Sequence, residues 1–187
     1  MTKTHSIEQV IELVQAGEVI AYPTEAVYGL GCDPLQQQAV LKLLAIKQRP
    51  VEKGLILVAA NYSQLLPYVD DQAIPLERRS AIFSCWPGHV SWVLPASKSA
   101  PAWITGQHTC IAVRVSAHPV VRELCLALNH PLVSTSANRA GQDAIRDLAE
   151  LDTALGAELA AIVGGELGGA SQPSQIRDAI QGQTLRS

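Results

Sequence analysis

Cys110-Ile111-Ala112-Val113-Arg114-Val115 is a run of apolar and small side chains carrying one guanidinium, and His118-Pro119 follows shortly after it. The run reads as a strand. His118 and Pro119 supply a cap position and an N1 proline for a helix reaching Leu128. Residues 131–135 read as a strand again. Strand, helix and strand in succession decide the class as α/β. Side chains alternate faces along a strand, so Ile111, Val113 and Val115 share one face and Cys110, Ala112 and Arg114 the other. A guanidinium keeps its charge, and burying it unpaired is costly. Arg114 is therefore either paired internally or kept to hold an anion.

The rest of the chain extends the alternation in both directions. Ser6 followed by Gln9 fits a capping box. Ile7, Val10, Ile11 and Val14 keep helical spacing up to a stop at Gly17. Residues 19–22 read as a strand ended by Pro23, and Gly29 and Gly31 mark a tight irregular segment. Residues 37–47 read as a helix with Val40, Leu43 and Leu44 inward, and residues 54–60 as a buried strand. Asn61 suits the cap of a short helix. Residues 76–85 suggest a helix stopped by Pro87-Gly88, and residues 90–94 a strand. Residues 144–155 read as helical, 160–163 as a short strand before a glycine-rich turn, and 174–179 as a last strand. The expectation is one domain over residues 1–187, a mixed α/β sheet with flanking helices. Strand order is not legible.

At 187 residues the chain is long enough for one well-cored domain. Its 48% hydrophobic and 17% charged residues are a globular composition. Residues 55–60, the longest apolar run, are far too short to span a bilayer. Met1-Thr2-Lys3-Thr4-His5-Ser6 has no apolar signal core. The reading is a cytoplasmic protein without membrane association. Cys32, Cys85, Cys110 and Cys125 lack metal or redox spacing; Cys110 and Cys125 read as small core residues. A net charge of −3 excludes a generally basic nucleic-acid coat, and 4% aromatic residues argue against a base-stacking platform. Lys42, Lys47, Arg49 and Lys53, opposed locally by Glu52, still form a local anion-binding signal.

Three further segments can carry chemistry. Lys47 falls on the inward stripe of its helix, and Pro50 forces Arg49 out of helical geometry. Lys47, Arg49 and Lys53 can thus converge and suit polyphosphate; equally, they suit a helix C-terminus that favours cations. Ser134-Thr135-Ser136-Ala137-Asn138 follows a strand, where open α/β sheets bind ligands, or it is an Asx turn leading into Gly141. Thr24, just past residues 19–22, suits a small polar substrate or a capping turn. There is no Walker loop and no dinucleotide fingerprint.

Together these segments resemble the YrdC/TsaC family. The resemblance rests on Tyr22-Pro23-Thr24-Glu25-Ala26-Val27-Tyr28-Gly29-Leu30-Gly31, Lys47-Gln48-Arg49-Pro50, Ala112-Val113-Arg114-Val115 and Ser134-Thr135-Ser136-Ala137-Asn138, in order. It extends to Pro173-Ser174-Gln175-Ile176-Arg177-Asp178, and the length is that of the short, single-domain form. The resemblance implies a twisted open sheet with a concave basic face. It implies L-threonylcarbamoyladenylate synthesis from L-threonine, bicarbonate and ATP, with pyrophosphate released, for threonylcarbamoylation of tRNA. By motif position Thr24, Arg114 and Ser134 would contact threonine. Arg49, Lys53 and Ser136 would contact ATP, with Lys47, Asn138 and Ser174 nearby. It also implies Mg²⁺ carried on the ATP phosphates, contact with tRNA, and hand-over to other proteins of that pathway.

The chain departs from the family pattern at Lys53-Gly54, where many relatives carry Asn-Pro, and at Val58, where some place a polar residue. No triad or reactive cysteine is expected, because attack by a carbamate oxygen needs alignment and charge neutralisation. Two other readings compete. One is a non-catalytic binder of double-stranded RNA or tRNA, which leaves the strand-borne Arg114 unexplained. The other is an enzyme of the related dihydroxybutanone-phosphate synthase fold, which would need clustered acidic metal ligands.

Overall fold

The computed structural model describes residues 4–187; the reading of Met1 to Lys3 lies outside them. The elements run α1 (Ile7–Gln15), β1 (Ile20–Pro23), β2 (Tyr28–Gly31), α2 (Gln37–Lys47), β3 (Ile56–Ala59), α3 (Leu76–Ser84), β4 (Val90–Pro95), α4 (Ala102–Thr105), β5 (Cys110–Val115), α5 (Pro119–Leu128), β6 (Leu132–Ser136), α6 (Leu148–Leu155), β7 (Ala161–Ile162), β8 (Gln175–Asp178) and β9 (Thr184–Arg186). The strands form one nine-stranded mixed sheet in the order β7-β1-β2-β6-β3-β5-β4-β8-β9. Parallel pairs are β1 with β7, β3 with β5, and β4 with β8.

The helices begin and end where their caps dictate. Ser6 and Gln9 close the capping box on α1. Pro119 opens α5 at its first turn, and Gln48, in the left-handed region at φ 54°, ends α2. The expected helix over 144–155 starts only at Leu148, because the Asp147 side chain accepts from Glu150 N and fixes the N-cap there.

Tyr28–Gly31 is a strand, not the irregular segment its glycines suggest. The glycines serve packing. A Cβ on Gly31 would lie 2.5 Å from the Val133 carbonyl and 2.7 Å from the Tyr22 ring, so only glycine lets that ring lie against β2. The C-terminal strand β9 also falls outside the elements read from sequence.

The two faces of the sheet are covered unequally. On one, Leu57, Val113 and Val133 pack with Val40 and Leu43 of α2. On the other, α1 and α5 bury Val10, Val14, Val121 and Leu124 against Ile20, Tyr22, Val58 and Leu132. Burying such a side chain contributes about 1.5–3 kcal/mol relative to leaving it exposed. This second cover ends part-way along the sheet. Val58 and Leu132 are paired beneath the helices, whereas Ile56 and Ser134, paired one step on along the same face, line an open cavity.

Candidate active site

The cavity measures about 680 Å³, within the usual range for small-molecule sites. All the candidate residues meet there. Thr24, Arg114 and Ser134 line it, as do Lys47, Arg49 and Lys53, and as do Ser136, Asn138 and Ser174. Lys47, Arg49, Lys53 and Arg114 are cations among these lining residues.

Arg114 projects from β5 beside Ala112, on the face its alternation predicts. It is both internally paired and open to the cavity. Nη1 donates to Glu25 Oε2 at 2.9 Å, with both side chains about nine-tenths buried. The other Glu25 oxygen accepts from Ser116 Oγ at 2.6 Å and from Ala117 N at 3.2 Å. Burial alone would raise the Glu25 carboxyl, but Arg114 and the Ser116 hydroxyl outweigh it and hold it below its ordinary value. Sequence reasoning left Glu25 aside; no local period links it to a residue 89 positions away.

Thr24 occupies the β1–β2 loop, and its hydroxyl donates to Val27 O at 2.6 Å. The turn reading is therefore correct, and toward a ligand this hydroxyl can only accept. Ser174 is held by Ser91, whose Oγ lies 3.1 Å away, and by Arg186, which donates to the Ser174 carbonyl and hydroxyl. Arg186 also lines the cavity. It escaped the sequence reading because β9 is a three-residue strand without a periodic signature.

Lys47 is buried at the end of α2 and lines the cavity. Its ammonium donates to Ser136 O at 2.6 Å, to Asn138 O at 3.0 Å and to Asn138 Oδ1 at 2.8 Å. Three donors are thus engaged with the end of β6, and none caps the helix's own carbonyls. Burial, with the nearby Arg49 charge, pushes Lys47 down to about 8. Ser136 Oγ donates to Asn138 Oδ1 at 2.6 Å, and the Asn138 amide donates to Arg139 O and Gln142 O. The segment is part of the wall, and the turn after it is closed by Gln142 N donating to Arg139 O rather than by the expected Asx bond, since Asn138 Oδ1 accepts from Ser136 and Lys47.

Arg49 Nη2 donates to Gly54 O at 3.0 Å, while its buried Nε has no partner. Lys53 ends a short 3-10 turn and is exposed at the cavity rim. Gly54 adopts φ 69°, which a proline ring forbids. Lys42 does not join the cluster; it pairs with Glu18 on the exposed side of α2. Cys110 faces the cavity rather than the core, with its thiol pushed up by burial. Among the described residues, no three His, Cys, Asp or Glu side chains converge as a metal site, and no helix is long and apolar enough to cross a membrane.

A family model for Sua5, YciO and YrdC proteins, described as telomere recombination, matches residues 12–187. The chain belongs to the Sua5/YciO/YrdC family. Within it, the chain is 54% identical over 186 residues to a threonylcarbamoyl-AMP synthase of Pseudoalteromonas translucida, covering 100% of both chains. It is 53% identical to a protein of that name from Xanthomonas euvesicatoria, again over 100% of both. Among solved structures, the Sua5 protein of P. abyssi in complex with L-threonine superposes with a TM-score of 0.85 at 30% identity. That match covers 92% of this chain but 50% of the Sua5 chain, so this chain spans about half the length of that relative. The fold read from the sequence is thus that of the Sua5/YciO/YrdC domain.

Proposed function

We propose that this cavity forms threonylcarbamoyl-AMP from L-threonine, bicarbonate and ATP. The reading is supported by relatives of that name at 50–55% identity over nearly the whole chain. The observation that carries it is the set of cations the cavity brings together. Arg114, pinned by Glu25, lines it along with Arg49 and Lys53. An amino-acid carboxylate suits Arg114 and a triphosphate suits Arg49 and Lys53.

Threonine's hydroxyl would meet Thr24 and Ser134. Ser136, Asn138 and Ser174 would contact the nucleotide, with Lys47 holding Ser136 and Asn138 in place. Threonine's amine takes up bicarbonate carbon with loss of water, giving a carbamate. A carbamate oxygen bonds to the α-phosphorus as the bond to pyrophosphate breaks. The chain supplies alignment and positive charge, not a nucleophile.

Mg²⁺ would travel on the phosphates, since the cavity's donors are cations and hydroxyls rather than a carboxylate cage. The product is a reactive mixed anhydride, so it must pass promptly to the proteins that modify tRNA. Free thiols at all four cysteines suit a reducing cytoplasm.

The test is ATP with L-threonine and ¹³C-bicarbonate. Pyrophosphate release that requires threonine, with a ¹³C-labelled adenylate by mass spectrometry, is expected. Nucleic-acid binding with no threonine-dependent pyrophosphate would leave the RNA-binder reading instead.

A further inference from the structure

We propose that His89 is a positioning residue for the amino-acid carboxylate. With Nε2 donating to the Gln172 carbonyl and Nδ1 accepting from Arg114, it fixes the plane of Arg114 and ties that plane to the glycine-rich segment 164–174. This rests on the reading that Arg114 holds the threonine carboxylate.

His89 lies just before β4 and lines the cavity. Its Nε2 is 2.8 Å from Gln172 O. A carbonyl only accepts, so Nε2 carries the proton and Nδ1 presents a lone pair. Arg114 Nη1 lies 3.2 Å from that Nδ1. The two N–H groups of Nη1 are thereby directed to Glu25 and His89. The edge formed by Nη2 and Nε is left for a carboxylate, in the fork geometry that suits it.

The 164–174 segment grips the other side of the same assembly. Gly168 N donates to Thr24 O at 3.0 Å and Ala170 N to Glu25 O at 2.8 Å. A Cβ on Gly168 would lie 2.8 Å from Glu25 Cα, so the two backbones are in close contact. Arg146 holds the carbonyls of Ala170 and Ser171. The segment therefore fixes Glu25 through its backbone and His89 through Gln172, and these two residues fix Arg114. The charged groups facing His89 are Arg114 on β5 and Glu25 on the β1–β2 loop; Arg186 on β9 adds a like charge toward Arg114.

The experiment measures threonine KM and ATP KM for wild type, H89A, H89N and R114K. Asn offers an acceptor near the Nδ1 position. H89A should raise threonine KM about tenfold, the scale of one hydrogen bond to a charged group, with ATP KM unchanged as the control for folding. H89N should recover most of that loss. If R114K raises threonine KM while H89A and H89N leave it unchanged, or if H89N recovers none of the loss seen in H89A, the His89 proposal is overturned and the carboxylate reading survives. If R114K also leaves threonine KM unchanged, both fall.

Discussion

Glu25 and Arg114 form a buried ion pair, with 2.9 Å between Oε2 and Nη1, at the edge of the cavity. The pair answers the question posed by a cation inside an apolar strand. The charge is compensated, and only one arm of the guanidinium is used to do it.

Breaking the pair is the first prediction. Glu25→Gln keeps the shape and removes the counter-charge. Removing one partner of a buried pair costs roughly 3–5 kcal/mol; the retained amide oxygen places this change at the lower end. For a chain of this size that corresponds to a fall in melting temperature of roughly 6–12 °C. A fall under about 2 °C would contradict it.

The same carboxyl gives a pH dependence. Its folded value lies below the ordinary 4.5. A depressed acid stabilises the fold fully above its ordinary value, and that contribution disappears as pH falls through the lower folded value. Urea midpoints should drop below pH 4.5 in the parent and drop less in Glu25→Gln.

Arg114→Lys keeps a charge but loses the fork, and Glu25 would engage the ammonium. Threonine affinity should fall by about 1.5–3 kcal/mol, with ATP affinity little changed. Calorimetry with each ligand separates the two.

Arg49→Ala should do the reverse, weakening a non-hydrolysable ATP analogue and sparing threonine. Lys47 adds a pH signature at this end. Its charge is lost above about 8, so kcat/KM for ATP should fall above that pH. An equal fall for threonine would place Lys47 in a shared site.

The hydroxyl of the substrate should be read more strictly than its methyl. A missing methyl costs roughly 1–3 kcal/mol, whereas a missing hydroxyl leaves polar groups unpaired. Serine should be a poor but detectable substrate and valine essentially none. Equal pyrophosphate release with the two would remove Thr24 and Ser134 from that role.

Much of this fold was legible where the signal is local. The Ser6–Gln9 box, the stop after Lys47 and the His118-Pro119 start each placed a helix end, and the alternation through Arg114 gave its face. Elsewhere the deciding contact is distant. Gly29 and Gly31 look like turn residues until Tyr22 is seen lying against them. Lys42 looks like part of the basic cluster until its exposed helix face pairs it with Glu18. The candidate binding residues converge because each stands at a strand or helix end facing the uncovered half of one sheet face. Glu25 and His89 were invisible as site residues, since each acts through a partner more than 80 positions away; Arg186 was invisible because its strand is only three residues long.

The most direct measurement is a crystal structure with L-threonine and a non-hydrolysable ATP analogue bound. The threonine carboxylate should lie on the Nη2 and Nε edge of Arg114 at about 2.7–2.9 Å, with its hydroxyl toward Thr24 and Ser134. The triphosphate should lie against Arg49 and Lys53. A triphosphate on Arg114, or threonine bound away from it, would contradict the account.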